Sequence, residues 1–216
     1  MFDLSKYIIH DLTHTFDEKI AGYSDQPART LSANGWNAKT LSIYSHAGTH
    51  MDAPFHFGVS EHTIDQYSPD EFMGKAWIID VSVTKPKQLI LLEDVISQLS
   101  NFQNGDSLLI RTDWSKMYED SNFKPDLPRI SEELANWCVK HKVKMLGVEP
   151  LSVADVEDLA EVTKIHQILL GGYVTIIEGL NKLDSIKSES VFLIALPLKI
   201  KNGDGAPARV IAFEER

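Results

Sequence analysis

The sequence has a single cysteine, Cys138, in 216 residues, so no disulfide can form within the chain. It sits among Leu134, Trp137 and Val139 in an amphipathic pattern, the setting of a core thiol in a reducing compartment. Basic residues are also scarce: 21 Lys and Arg stand against 31 Asp and Glu, a formal charge of −10. That balance excludes a surface built for nucleic acid or anionic membrane. No apolar run approaches the ~18 residues of a membrane span. The opening "MFDLSKYIIHDL" lacks a charged segment followed by a continuous apolar one. Neither an anchor nor a secretory signal is therefore expected, and a cytoplasmic location is. Two catalytic signatures are missing too: there is no G-x-S-x-G for a serine nucleophile and no P-loop for a phosphate. With no repeat, low-complexity tract or linker, residues 1–216 read as one domain. A chain of this size removes roughly 70% of its unfolded surface from water, so a metal is not needed merely to fold it.

What is present is an alternation of short aliphatic runs with helical patterns, the mark of a mixed α/β domain. Strands are expected at 6–12, 39–45, 76–83, 107–114, 143–149, 173–180, 191–200 and 208–215, enough for a large or barrel-like sheet. Helices are expected at 91–100, at 131–141 with Ser131 as N-cap, and at about 155–170, ending at Gly171-Gly172 as a left-handed close. The stretches 14–38 and 114–130 read as long irregular loops, the kind that form lids, binding loops or interface arms.

The chemistry concentrates in "HAGTHMDAPFH", residues 46–56. His46 is expected to end a strand, Gly48-Thr49 to turn the chain, and His50 and Asp52, two apart in an extended segment, to project the same way. Pro54 prevents a helix from running through, so this is not a helical H-E-x-x-H site. Imidazoles with a carboxylate suit Zn²⁺ and, less selectively, Mn²⁺ or Fe²⁺. His56 is a further donor, for metal or for protons. Such a cluster is costly to bury without a cation or a full hydrogen-bond network. His10, His14, His62 and His141 are read as ordinary hydrogen-bonded histidines.

"HAGTHMDAPFH" matches H-x-G-T-H-x-D-x-P-x-H, and on it the chain resembles the cyclase family of metal-dependent hydrolases, which includes bacterial kynurenine formamidases (arylformamidases) and isatin hydrolases. "LLIRTDW" (108–114), "LGVEPLSV" (146–153) and "IHQILLGGYVTIIEGLNKLD" (165–184) are similar to further family segments. The resemblance implies a swivelling β/α fold with a mixed, barrel-like sheet and flanking helices, assembled as a homodimer or larger homo-oligomer. It implies that His46, His50 and Asp52 hold one ion, and Asp52, His166 and Glu178 a second. His56 is implied as the acid/base. In the family's early loop an aromatic lines the substrate pocket, and here "GYSDQP" (22–27) offers Tyr23 but lacks the usual Pro-Gly-Asp.

The resulting expectation is hydrolysis of a small-molecule substrate, an N-formyl arylamide or cyclic amide, by metal-activated water, with two Zn²⁺ per chain or Mn²⁺ in their place. The alternatives are an isatin-hydrolase-like or lactone-cleaving enzyme, and a non-catalytic metal- or ligand-binding relative. Retention of His56 beyond Pro54 argues against the last, since a metal holder has no use for it.

Overall fold

The computed structural model describes residues 3–216. Its first strands are β1 (Tyr7–Asp11), β2 (Tyr23–Arg29), β3 (Ala38–Ile43), β4 (His50–Asp52), β5 (Met73–Asp80) and β6 (Leu89–Ile90). Then come β7 (Ser107–Arg111), β8 (Arg129–Ile130), β9 (Met145–Val148), β10 (Thr175–Glu178), β11 (Ser190–Pro197) and β12 (Gly205–Glu215). The helices are α1 (Leu31–Asn34), α2 (Leu92–Ile96), α3 (Glu132–Lys140) and α4 (Leu159–Gly171).

The main sheet runs β12-β11-β5-β7-β9-β10-β4, and β4 pairs back onto β12, so seven strands close a barrel while β1 extends it from β12. Strands β5, β7, β9 and β10 are mutually parallel, whereas β4, β11 and β12 pair antiparallel. The mixed, barrel-like sheet with flanking helices is thus what forms. Period-two alternation sorts the strands into an inside and an outside. Small and medium side chains fill the interior: Met51, Ala76, Leu109, Met145, Ile177, Leu193, Ala206 and Val210. Trp77, Ile110, Leu146, Val148 and Ile176 face outward against α2, α3 and α4, a layer that includes Val95, Leu134, Cys138 and Leu169. Burial pushes the Cys138 thiol up to about 12, as expected for an inert core cysteine.

Three expectations need correction. The run at 39–45 is not part of the barrel: β3 pairs only with β2, in a hairpin inside what reads as the first loop. Most residues of both strands are exposed, so the alternation that marks 39–45 as a strand does not carry it into the barrel, and β2 shows none. Helix α4 starts at Leu159, not near 155, because Asp158 caps it through the N–H groups of Ala160 and Glu161. Its close is not a left-handed glycine either. Gly172 has φ −88°, and the left-handed residue is Tyr173 at φ 60°. What demands glycine at 172 is space, since a Cβ there would lie 2.4 Å from Val139 of α3.

Candidate metal centre

The centre is assembled at the barrel seam. In β4, Met51 points inward to the core while His50 and Asp52 point outward, as two-residue spacing requires. Glu178 stands directly opposite His50 on β10, so pairing alone puts a carboxylate beside an imidazole. On the other side Gly205 faces Asp52 from β12, where a Cβ would come 2.5 Å from Met51 O and 2.8 Å from the His46 ring. Gly179, at φ 67°, ends β10 against the turn, and its Cβ would collide with Gly48 O at 2.5 Å. Buried Thr49 ties the two segments: its hydroxyl donates to Gly179 O (2.6 Å) and accepts from His14 N–H (2.9 Å). Helix α4 supplies His166 from its buried face, beside Ile165, Leu169 and Leu170.

His50 is 2%, Asp52 1%, His166 3% and Glu178 4% exposed, so the group is shut off from bulk water. His50 Nδ1–H donates to Gly48 O (3.0 Å) and His166 Nδ1–H to Val162 O (2.7 Å). Each ring therefore presents Nε2 to the middle of the site. There His50 Nε2 lies 3.2 Å from Glu178 Oε2 and 3.6 Å from Asp52 Oδ1. His166 Nε2 lies 3.3 Å from Glu178 Oε1 and 3.7 Å from Asp52 Oδ2. Close as they are, His50 Nε2 and Asp52 Oδ2 make no hydrogen bond at all. Val153 N–H donates to Glu178 Oε1 (2.8 Å), which holds the segment before α4 out of helix and fixes this carboxylate.

Two neutral rings turning lone pairs toward two carboxylates is a repulsive arrangement unless positive charge enters. Burial opposes a charge on His50 and His166, yet Glu178 and Asp52 outweigh it and raise both histidines' pKa. Glu178 is correspondingly driven far down: burial pushes it up, but His166 and His50 prevail. The site thus calls for a cation. A divalent ion among the unpartnered donors answers that demand with ligand types suited to Zn²⁺ or Mn²⁺.

The other motif histidines lie alongside. His46 is in the turn, not at the end of a strand, because the strand before it stops at Ile43. Both of its nitrogens donate to carboxylates, Nδ1 to Asp52 Oδ1 (2.8 Å) and Nε2 to Asp204 Oδ2 (2.9 Å). Burial resists this charge, but Asp52 and Asp204 lift the His46 pKa to about 9. His56 sits in a one-turn 3-10 helix opened by Pro54 and stacks on His46 with ring centroids 3.8 Å apart. Donor atoms fall into two close groups, His50–Asp52–Glu178 and His46–Asp52–His56, with Asp52 common to both. Asp204 is the residue missed in the sequence. Its signals were only the flanking glycines of "NGDGAP" and its place just before the last strand.

Tyr23 does not join the cluster. Its hydroxyl donates to Asp25 (2.8 Å) and its ring packs edge-on against Phe16. A cavity of about 380 Å³ opens over the histidines, walled by Tyr44, Phe57, Tyr118 and Leu151, with Lys124 at its margin. His10, His14, His62 and His141 stay outside the cluster, His141 stacking on Trp137 and His62 meeting Tyr67 edge-on. Buried Glu149, from the "LGVEPLSV" segment, accepts from Thr112, Trp114 and Ser115 and so anchors the loop after β7.

Known proteins resemble this chain in sequence and in fold. The family model described as "Putative cyclase" matches residues 10–155. A kynurenine formamidase of Bacillus cytotoxicus is 34% identical over 172 residues, covering 80% of this chain and 77% of that protein. Isatin hydrolase A of Labrenzia aggregata superposes with a TM-score of 0.88 at 24% identity, over 98% of this chain and 95% of that one. A structure solved as a potential metal-dependent hydrolase with cyclase activity gives 0.78 at 24% identity, over 97% and 99%. By motif, by match to the family model and by identity to curated relatives, the chain belongs to the cyclase family.

Proposed function

We propose that this protein hydrolyses a small N-formyl arylamide, as in the conversion of N-formylkynurenine to kynurenine. The observation that carries this reading is the buried, convergent set around Asp52, in which His50 Nε2 and Asp52 Oδ2 have no partner among the described residues, in a family with relatives named kynurenine formamidase. A divalent cation held by these residues would supply Lewis-acid polarisation of the amide carbonyl and would bring the pKa of water toward ~7. Zn²⁺ is the ion we assign, two per chain, one with His46, His50 and Asp52 and one with Asp52, His166 and Glu178; Mn²⁺ suits the same donors.

His56 moves the proton. Burial lowers its pKa, so the ring is neutral near pH 7 and free to accept. Asp204 Oδ2 lies 3.6 Å from His56 Nδ1, which leaves Nε2 for the substrate side. It takes a proton from the attacking water and returns it to the departing amine. Tyr44, Phe57 and Tyr118 form the wall for an aryl ring. Residues 1–216 act as one cytoplasmic catalytic unit, paired as a homodimer through the β2–β3 hairpin, where Leu31, Trp36 and Leu41 are 64%, 55% and 53% exposed. Across that contact Tyr23 reaches the neighbouring pocket.

A second reading has one observation in its favour. Both His46 nitrogens are engaged by carboxylates, which leaves His50–Asp52–Glu178 as a single-ion site, the simpler arrangement for a cyclic amide of the isatin type or a lactone. The test is turnover of N-formylkynurenine, N-formylanthranilate, isatin and simple lactones by protein of defined metal content. Fastest cleavage of the formyl arylamides is expected; exclusive cleavage of isatin selects the second reading, and no turnover on any of them returns the chain to a non-catalytic metal binder.

A further inference from the structure

The cavity over the histidines has apolar and aromatic walls, a floor made by His46, His50, His56, His166 and Glu178, and one Lys or Arg among its lining residues, Lys124. At about 380 Å³ it is near the lower end of ligand pockets, sized for a single-ring molecule. Lys124 is exposed and has no ion pair or hydrogen bond to any described residue. Lys19, Lys39, Lys87 and Lys116 each hold a carboxylate, whereas Lys124, like Lys6, Lys85 and Lys140, does not; what sets Lys124 apart is its place in the lining of this cavity.

Its base is nevertheless fixed. Phe123 is 4% exposed, its carbonyl accepts from Trp114 Nε1 (3.0 Å), and its ring meets Tyr118 edge-on. Tyr118 in turn stacks on buried His14 at 4.1 Å. Lys124 itself lies in a turn that Asp126 N–H closes on Asn122 O (3.0 Å). An ammonium on a pinned stem thus stands at the edge of a pocket otherwise suited to an uncharged ring. The ammonium there has no structural partner to serve and is free to meet an anionic group on a bound ring.

We infer that Lys124 is a specificity-determining residue that receives a carboxylate carried by the substrate, so that the substrate class is an anionic arylamide rather than a neutral one. This rests on the hydrolytic reading above and narrows it. The experiment compares N-formylanthranilate with formanilide, which has the same ring and scissile bond without the carboxylate, on wild type, Lys124→Met and Lys124→Arg. Binding of anthranilate to each metal-loaded protein is measured by calorimetry alongside turnover.

Lys124→Met is expected to raise KM for N-formylanthranilate about tenfold, the scale of one charge-assisted hydrogen bond at a half-open rim, with kcat little changed. Formanilide kinetics stay within about twofold, metal content and Tm are unchanged, and Lys124→Arg retains most of the preference. Equal losses on both amides, or an unaltered KM for the anionic one, overturn the assignment. If wild type cleaves neither amide, the hydrolytic reading falls on its own. Anthranilate binding that still weakens in Lys124→Met then upholds the anion site, and binding indifferent to the substitution removes it.

Discussion

Two buried histidine–carboxylate clusters occur in this molecule, and they are alike in composition but opposite in what they leave over. In the first, His10 Nδ1 pairs with Ser185 Oγ (2.8 Å) and Nε2 with Glu214 Oε2 (2.7 Å). Glu214 Oε1 accepts the N–H groups of Lys187 (2.8 Å) and Ser188 (2.6 Å). Every polar atom is used, and the result is a clasp between β1, β12 and the turn before β11. In the second, His50, Asp52, His166 and Glu178 converge with His50 Nε2 and Asp52 Oδ2 unpartnered. Residue type does not separate a structural clasp from a metal centre. Residual donor capacity aimed at one point does.

The contrast breaks most severely at His50. His50→Ala is expected to abolish bound metal and activity together, with kcat/KM down by about a thousandfold or more; full metal by elemental analysis would place the ion elsewhere. His56→Asn should keep the metal while turnover falls ~10²–10⁴-fold, since its task is proton transfer. Wild-type kcat on a substrate with a poor leaving group would hand that task to another residue. Glu178→Gln keeps shape and removes charge: the saturating count is expected to drop from two ions to one, with slower turnover, as read by stoichiometry after identical loading. A wild type that saturates at one ion, with Glu178→Gln fully active, rejects the binuclear reading. The matched substitution Glu214→Gln sharpens the comparison most cleanly. It should leave metal content and kcat alone and cost about 1–3 kcal/mol of stability in denaturant titration, the penalty for weakening a buried charge-assisted network. Loss of metal in that variant would show the two clusters to be coupled.

How far this was legible in the sequence follows from range along the chain. His46, His50, Asp52 and His56 lie within eleven residues, so local spacing, a turn glycine and a proline were enough to draw attention to them. The opposed facing of Met51 against His50 and Asp52 followed from strand geometry alone. His166 and Glu178 are an ordinary helical histidine and an ordinary strand-end glutamate until α4 and β10 fold onto β4, and only family resemblance raised them. Asp204 could not be seen because its role arises from the β12–β4 pairing, which no local pattern encodes. Of the β2–β3 hairpin only β3 was legible; β2, "YSDQPAR", is exposed almost throughout and carries no hydrophobic period. Tyr23 was chosen for its place in a resembling loop, and in this chain it turns to Asp25 and Phe16, while Tyr44 lines the cavity.

The three residues of β4 also set an order of events during synthesis. They pair with 205–207, contacts of very high sequence separation that cannot form until those residues have been made. Before that His50 and Asp52 lack Gly205 and Asp204 behind them, and before β10 is made they lack Glu178 opposite them. The cluster of His50, Asp52, His166 and Glu178 is therefore complete only once β4 is held between β10 and β12.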